Sequence, residues 1–256
     1  MNMATYKKKY KAESKKEENQ IDESEFETAG VLNTLEETAS KSEQWIEKNN
    51  KPLFLSLIAI VVLFLAYLGY IKYEVEPNEL EASNELAFPR KHFDEAATAG
   101  SGIDSLLNLG LEGADGKFGF LDIANEYSGT DAGNLANYYA GVSYLQIKEY
   151  DKAIEYLSKF DSEDEMLGPV SLGAIGDAFA DINQPEDALD YYEKAASNKK
   201  NEFTTPLFLF KAGQTAMELK KFDKAEILFT KIYKEYSKSD QGREIEKYIT
   251  AAKYAN

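Results

Sequence analysis

The sequence predicts an all-α protein, with one N-terminal transmembrane helix followed by an α-solenoid of repeated helix pairs. Three observations predict it. Twenty consecutive residues carry no charge, and three later blocks of twenty residues align without gaps. No stretch shows the sustained period-two alternation, bounded by turn residues, that marks strands.

The uncharged run is Pro52–Ile71, PLFLSLIAIVVLFLAYLGYI. At 1.5 Å per residue a helix of this length spans roughly 30 Å, the thickness of a bilayer's hydrocarbon core. A buried core helix would need apolar protein on every side, and the flanking segments are too polar to supply it. A cleavable leader fits poorly, because no small-residue cleavage site follows the run. Trp45 on one side and Tyr67, Tyr70 and Tyr73 on the other occupy interfacial positions. Lys41, Lys48 and Lys51 stand close before the run, with six more lysines in the tail at 7, 8, 9, 11, 15 and 16. Lys72, at the boundary, and the more distant Arg90 and Lys91 follow it. In a bacterium this bias predicts an inner-membrane protein with its N-terminus cytoplasmic and its C-terminal domain periplasmic.

Three segments result. Residues 1–51 form a polar tail in which Val31, Leu35, Thr38, Ser42 and Trp45 have helical spacing. This weak amphipathic helix either rests on the membrane surface or docks on a membrane partner, and periodicity does not separate the two. Residues 52–71 are the anchor, in contact with membrane lipid. Residues 73–256 are the folded domain, with 19 basic against 34 acidic side chains, so nearly all of the net charge of −16 belongs to it. That charge opposes binding to nucleic acid or anionic headgroups. The chain has no cysteine, which excludes disulfides, thiolate chemistry, Cys-ligated metals and a lipidated cysteine as anchor. Its single histidine, His92, precludes a multi-histidine metal site.

The aligned blocks are GVSYLQIKEYDKAIEYLSKF from Gly141, GDAFADINQPEDALDYYEKA from Gly176 and GQTAMELKKFDKAEILFTKI from Gly213. Each opens on glycine, reaches an alanine twelve residues on (Ala153, Ala188, Ala225) and a bulky residue four later (Leu157, Tyr192, Phe229). Antiparallel helices approach closely only where a small side chain faces the partner, so glycine and alanine mark the contact and the bulky residue fills the groove. Lys148–Tyr150 and Asn183–Pro185 break the helices. Asp151, Glu186 and Asp223 sit near the next helix start, where an anion is favoured.

This small–aromatic–small pattern resembles the tetratricopeptide repeat. Ala216 stands in place of the expected aromatic in the third block, and Phe160 and Ile232 in place of a small residue at the last position. The spacing places repeats at about 134–167, 169–202 and 206–239, a degenerate unit at about 78–130 with a Gly-rich insertion at 100–116, and a capping helix at about 242–254. The whole arrangement is similar to the YfgM family of single-pass inner-membrane proteins, ancillary to the SecYEG translocon. GFLDIANEYSGTDAGNLANYYAG (119–141) and LGAIGDAFADINQPEDALDYYEKA (172–195) look like its Bacteroidota members. The resemblance implies SecYEG and periplasmic chaperones as partners.

No stretch supplies a catalytic constellation. His92 reads as a surface or packing residue, and Asp161–Glu165 lacks the alternating ligands and turn glycine of a calcium loop. GADGKFG (113–119) lacks the spacing of a phosphate cradle. The reading is therefore of a non-enzyme, without cofactor, metal or small-molecule substrate. The first helix of each unit is expected to line a groove with Tyr138, Val142 and Leu145, then Gly173, Asp177 and Ala180, then Phe210, Gln214 and Met217. It is an aromatic, aliphatic and weakly acidic surface, better suited to extended or apolar segments than to acidic peptide ends. The function predicted is a membrane-anchored scaffold that recruits periplasmic chaperones or emerging clients to the translocon. The alternative is a repeat-mediated organiser of another envelope assembly, in the outer-membrane or cell-wall machinery.

Overall fold

The computed structural model describes Trp45, Ile46 and residues 48–255; the helix expected around Val31–Ser42 lies outside the described residues. The regular elements among the described residues are helical, and one isolated antiparallel bridge joins Ala114 to Lys117. The chain divides between Tyr67 and Leu68 into two units.

Helix α1, Asn50–Tyr70, makes up nearly all that is described of the first unit. None of its residues is buried, and its leucines are 36–69 % exposed on every side. It is long and apolar enough to cross a membrane. A helix apolar around its whole circumference is stable only inside protein or lipid, and the described residues do not bury this one.

A π-helical turn, Ile71–Val75, opens the second unit, the Glu76 amide donating to the Ile71 carbonyl. Pro77 follows two residues after it; a proline lacks the amide for the carbonyl four residues back and crowds it, and the wider π turn gives that carbonyl room. Helices α2 (Glu76–Glu85) and α3 (Ala87–Thr98) follow, with Pro89 in the first turn of α3, where a missing amide costs little. The segment 100–116, expected from its glycines to be an insertion, holds helix α4, Ile103–Glu112, which buries Leu107, Gly110 and Leu111 against α3 and α5. After α4, GADGKFG forms a tight turn. Gly113 has φ 74°, and a Cβ there would lie 2.2 Å from the Lys117 carbonyl oxygen.

The remaining helices are α5 (Phe120–Glu126), α6 (Asp131–Gln146), α7 (Tyr150–Lys159), α8 (Leu167–Asp181), α9 (Pro185–Ser197), α10 (Thr204–Glu218), α11 (Phe222–Glu235) and α12 (Ile245–Tyr254). A 3-10 turn, Gly242–Glu244, precedes α12. From α5 onward each helix packs on the next, and α8 also touches α6 and α10.

The three turns inside the pairs α6–α7, α8–α9 and α10–α11 have one design. Lys148, Asn183 and Lys220, each seven residues after its block's glycine, adopt φ of 65°, 60° and 57°. The next amide then reaches back to the helix: Glu149 to Tyr144, Gln184 to Phe179, Lys221 to Ala216, at 2.9, 2.9 and 2.8 Å. This six-to-one bond satisfies a carbonyl left open at the helix end. Asp151, the Glu186–Asp187 pair and Asp223 fall in the first turns of α7, α9 and α11 as expected.

The block glycines meet the bulky residues sixteen positions on. A Cβ at Gly141 would lie 2.5 Å from Leu157, at Gly176 2.7 Å from Tyr192, and at Gly213 2.3 Å from Phe229. Ala153, Ala188 and Ala225 are fully buried beside these contacts. Ala216 is buried too, so the third unit's missing aromatic leaves no exposed gap.

Helix α2 joins the repeats through Glu79. Its carboxylate accepts from the Asp131 amide at 2.6 Å and the Ala132 amide at 3.0 Å, while Thr130 Oγ1 accepts from Gly133 at 2.9 Å. The open amides at the start of α6 are thus satisfied from two elements. His92, in α3, packs edge-on to Phe88 with ring centroids 4.7 Å apart. Its Nδ1 is buried 3.3 Å from a Glu95 oxygen without hydrogen-bond geometry, so it acts as a packing residue.

Candidate protein-binding face

The predicted groove residues lie on α6, α8 and α10, the first helices of the three pairs. Tyr138, Val142 and Leu145 are half-buried and pack with Leu157, Ala174 and Ile175, joining the first pair to the second. The Tyr138 ring also meets Phe160, centroids 5.1 Å apart, and burial raises its phenol pKa. Gly173 is covered: a Cβ there would lie 1.9 Å from the Phe208 ring, so α10 fills that part of the surface. Phe210 turns toward the capping helix, edge-on to Tyr248 at 4.8 Å and tilted on Phe229 at 5.9 Å. Met217 is half-buried against the same cluster, and Gln214 and Ala180 are exposed.

Asp177 departs from the expectation of a weakly acidic surface. Its carboxylate accepts from Lys211 Nζ at 2.7 and 2.8 Å and from the Tyr192 hydroxyl at 2.6 Å. One cation from α10 thus neutralises it, and the phenol of α9 fills a remaining lone pair. Burial and then the bond to Asp177 raise the Tyr192 pKa, so its hydroxyl stays a donor. Sequence reasoning missed Lys211. The signal was present as opposite charges on two first helices, 34 residues apart, but nothing in the sequence marked which of many lysines faces inward. Exposed polar side chains border the face at the ends of the three helices: Gln146, Asp181 and Glu218.

The loops between pairs also repeat. Asp164 Oδ1 accepts from the amides of Met166 and Leu167 at 2.7 and 2.8 Å, and Asn201 Oδ1 accepts from those of Phe203 and Thr204 at 2.9 and 2.8 Å. Each starts the next first helix. The amides of Leu167 and Met166 hold the Asp164 carboxyl below the ordinary carboxylate range, and Lys199 does the same for Glu163. Two of the loop's acids are thereby engaged, Asp164 at a helix start and Glu163 in an ion pair. Among the described residues no cluster of His, Asp or Glu has the arrangement to hold a metal.

An open cavity of about 650 Å³ lies between α5, α6 and α7, lined by Asn125, Asn134, Asn137, Tyr156 and Lys159 among others. Its chemistry is largely committed. Asn134 exchanges hydrogen bonds with the Asp161 backbone, Asn137 donates to the Gly133 carbonyl, and Lys159 lies over the Tyr156 ring.

Tetratricopeptide-repeat family models match residues 135–163, on α6 and α7, and 174–240, from the middle of α8 through α11. The chain therefore carries tetratricopeptide repeats, and such repeats characterise protein–protein interaction scaffolds that are typically non-enzymatic. No curated protein matches the chain.

Proposed function

We propose that this repeat protein is a single-pass scaffold of a bacterial inner membrane, in which α1 spans the bilayer and the repeats bind protein partners in the periplasm. The observation that carries the reading is the pairing of a helix with its whole apolar circumference uncovered and a repeat domain of protein-binding type. In this reading residues 1–51 are a cytoplasmic tail, 52–71 the anchor and 73–256 the binding domain. The docking face runs along α6, α8 and α10, where Gln214 is open and Val142, Leu145 and Met217 offer apolar side chains. Tyr138, Phe210 and Asp177 shape it from beneath. A face with its acid neutralised by Lys211 suits an extended, largely apolar segment better than a charged one. The resemblance to the YfgM family supports a place beside the SecYEG translocon, where the domain concentrates chaperones or emerging clients without chemistry of its own.

Photo-crosslinkers placed at Gln214 and Met217, and separately at Leu57 in α1, test this in cells. Translocon subunits are expected from Leu57, and periplasmic chaperones or unfolded clients from the α10 positions. Adducts only with outer-membrane or cell-wall machinery would move the protein to another envelope assembly. A C-terminal reporter active only in the cytoplasm would reverse the topology.

A further inference from the structure

The three repeats act as one another's controls, and two surface positions separate the third from the others. The outward stripe of each second helix is read at the same four places. In α7 and the residues after it the stripe is Asp151, Glu155, Ser158 and Ser162; on α9 it is Glu186, Asp190, Glu193 and Ser197; on α11 it is Asp223, Ile227, Thr230 and Lys234. Where the first two carry solvated acids, the third exposes isoleucine, 68 % accessible, along an open groove that also includes Glu226 and Lys231. A lone exposed aliphatic side chain is ordinary on a protein surface, but this one lies between an acid and a lysine on a single stripe and gives it an apolar centre flanked by opposite charges.

The stripe is self-complementary. Residues four, seven and eleven apart share one helix face, so Asp223, Ile227, Thr230 and Lys234 form a seam running from acid through apolar and small to basic. Laid antiparallel against its own copy about a two-fold axis midway between residues 228 and 229, the seam sets Ile227 against Thr230 of the second copy. It also sets Asp223 against Lys234 of the second copy, and the symmetry makes each contact twice. The same pairing on α9 would set Asp190 against Glu193 and repel, and on α7 it sets Glu155 and Asp151 against serines, with no opposite charge in either. Charge elsewhere points the same way. Residues 73–197 carry 7 basic against 26 acidic side chains, whereas 198–256 carry 12 against 8. Two copies can approach through the last pair without bringing strongly acidic surfaces together.

We infer that the outer face of α11 is an interface with a second copy of this chain, formed as an antiparallel α11–α11 pair. Fourteen residues of helix give a small contact, below the size of a stable dimer interface in free solution. Confinement of both copies to one bilayer raises their effective concentration. That clause rests on the proposed anchoring by α1, and the experiment scores the two separately.

The chain has no cysteine, so a single introduced thiol reports alone. Full-length Thr230→Cys protein is reconstituted in phospholipid vesicles, tested for flotation, and treated with a short bismaleimide. The control is Ser158→Cys, the matching position on α7. Crosslinked dimer is expected at least tenfold above the control. Ile227→Glu in the same background should abolish it. Lys234→Asp should lower it roughly tenfold by setting acid against acid, and adding Asp223→Lys should restore it. The interface is overturned if Thr230→Cys links no better than the control, if Ile227→Glu leaves the yield unchanged, or if the double reversal fails to restore it. Failure to float with vesicles would overturn the anchoring, and with it the confinement this pairing requires.

Discussion

Helices α1 and α8 are both poor in charge, yet one buries nothing and the other buries eight of its fifteen residues. Helix α8 lies among α6, α7, α9 and α10, and its small residues let them close in; Gly173 takes the Phe208 ring and Gly176 the Tyr192 ring. Helix α1 is built of large aliphatic side chains with no glycine before Gly69, and the described residues bury none of it. The contrast teaches that apolar composition sets a demand for burial, while side-chain size decides what can meet it. Small residues admit other helices, and a continuous bulky surface does not.

The largest test breaks α1. Val61→Lys together with Leu63→Arg should cost about 5–7 kcal/mol of insertion free energy, about 2.5–3.5 for each charge near the helix centre. The protein should leave the membrane fraction on carbonate extraction, while the melting temperature of the repeats stays unchanged. Retention in the membrane would show that α1 is not held by lipid.

The reciprocal break is Gly173→Leu in α8. With a Cβ 1.9 Å from the Phe208 ring, the helices must separate. Overpacking of this kind costs about 3 kcal/mol or more, seen as a lower unfolding midpoint in denaturant. Membrane retention should not change. A stability equal to the parent's would contradict the close approach of α8 and α10.

A smaller effect is expected where α8 and α10 meet through charge. Lys211→Met removes the partner that neutralises Asp177 but leaves the Tyr192 hydroxyl bonded to it. Both charged side chains are about a third exposed, so the loss should be about 1 kcal/mol. The double-mutant cycle with Asp177→Asn isolates the pair, and a coupling of zero would remove Lys211 from the account.

The smallest effect belongs to the acidic loop and depends on pH. The folded Asp164 carboxyl titrates below its unfolded value because two amides donate to the charged form. Its stabilisation is therefore present above the ordinary carboxylate range and lost as pH falls through the lowered folded value. Asp164→Asn should narrow the gap between unfolding midpoints at neutral and strongly acidic pH. Unchanged pH dependence would rule out the helix-start role.

Much of the fold was legible in the sequence because its causes are local. The run Pro52–Ile71, the thirty-five- and thirty-seven-residue offsets of Gly141, Gly176 and Gly213, and the acids opening α7, α9 and α11 all act within a few turns of helix. Helix α4 was concealed by its neighbours. The glycines at 100, 102, 110, 113 and 116 suggested an insertion without naming its structure, although Leu106, Leu107, Leu109 and Leu111 already supplied an apolar helical face. The groove was the least legible part. Register identified the first-helix positions, but not that Phe208 would cover Gly173, that Phe210 would turn to Tyr248, or that Lys211 would reach Asp177.

By itself the sequence determined the helical class, the apolar segment's need for a non-aqueous surrounding, and the acidity of the domain that follows it. Those depend on composition and on spacing along one chain, which a sequence records directly. Only the tertiary structure decided which polar groups remain available: Asp177 and Asp164 are committed, Gln214 is open, and Ile227 is left without cover on α11. Availability depends on what packs across from a residue one repeat away, and no local spacing carries that information.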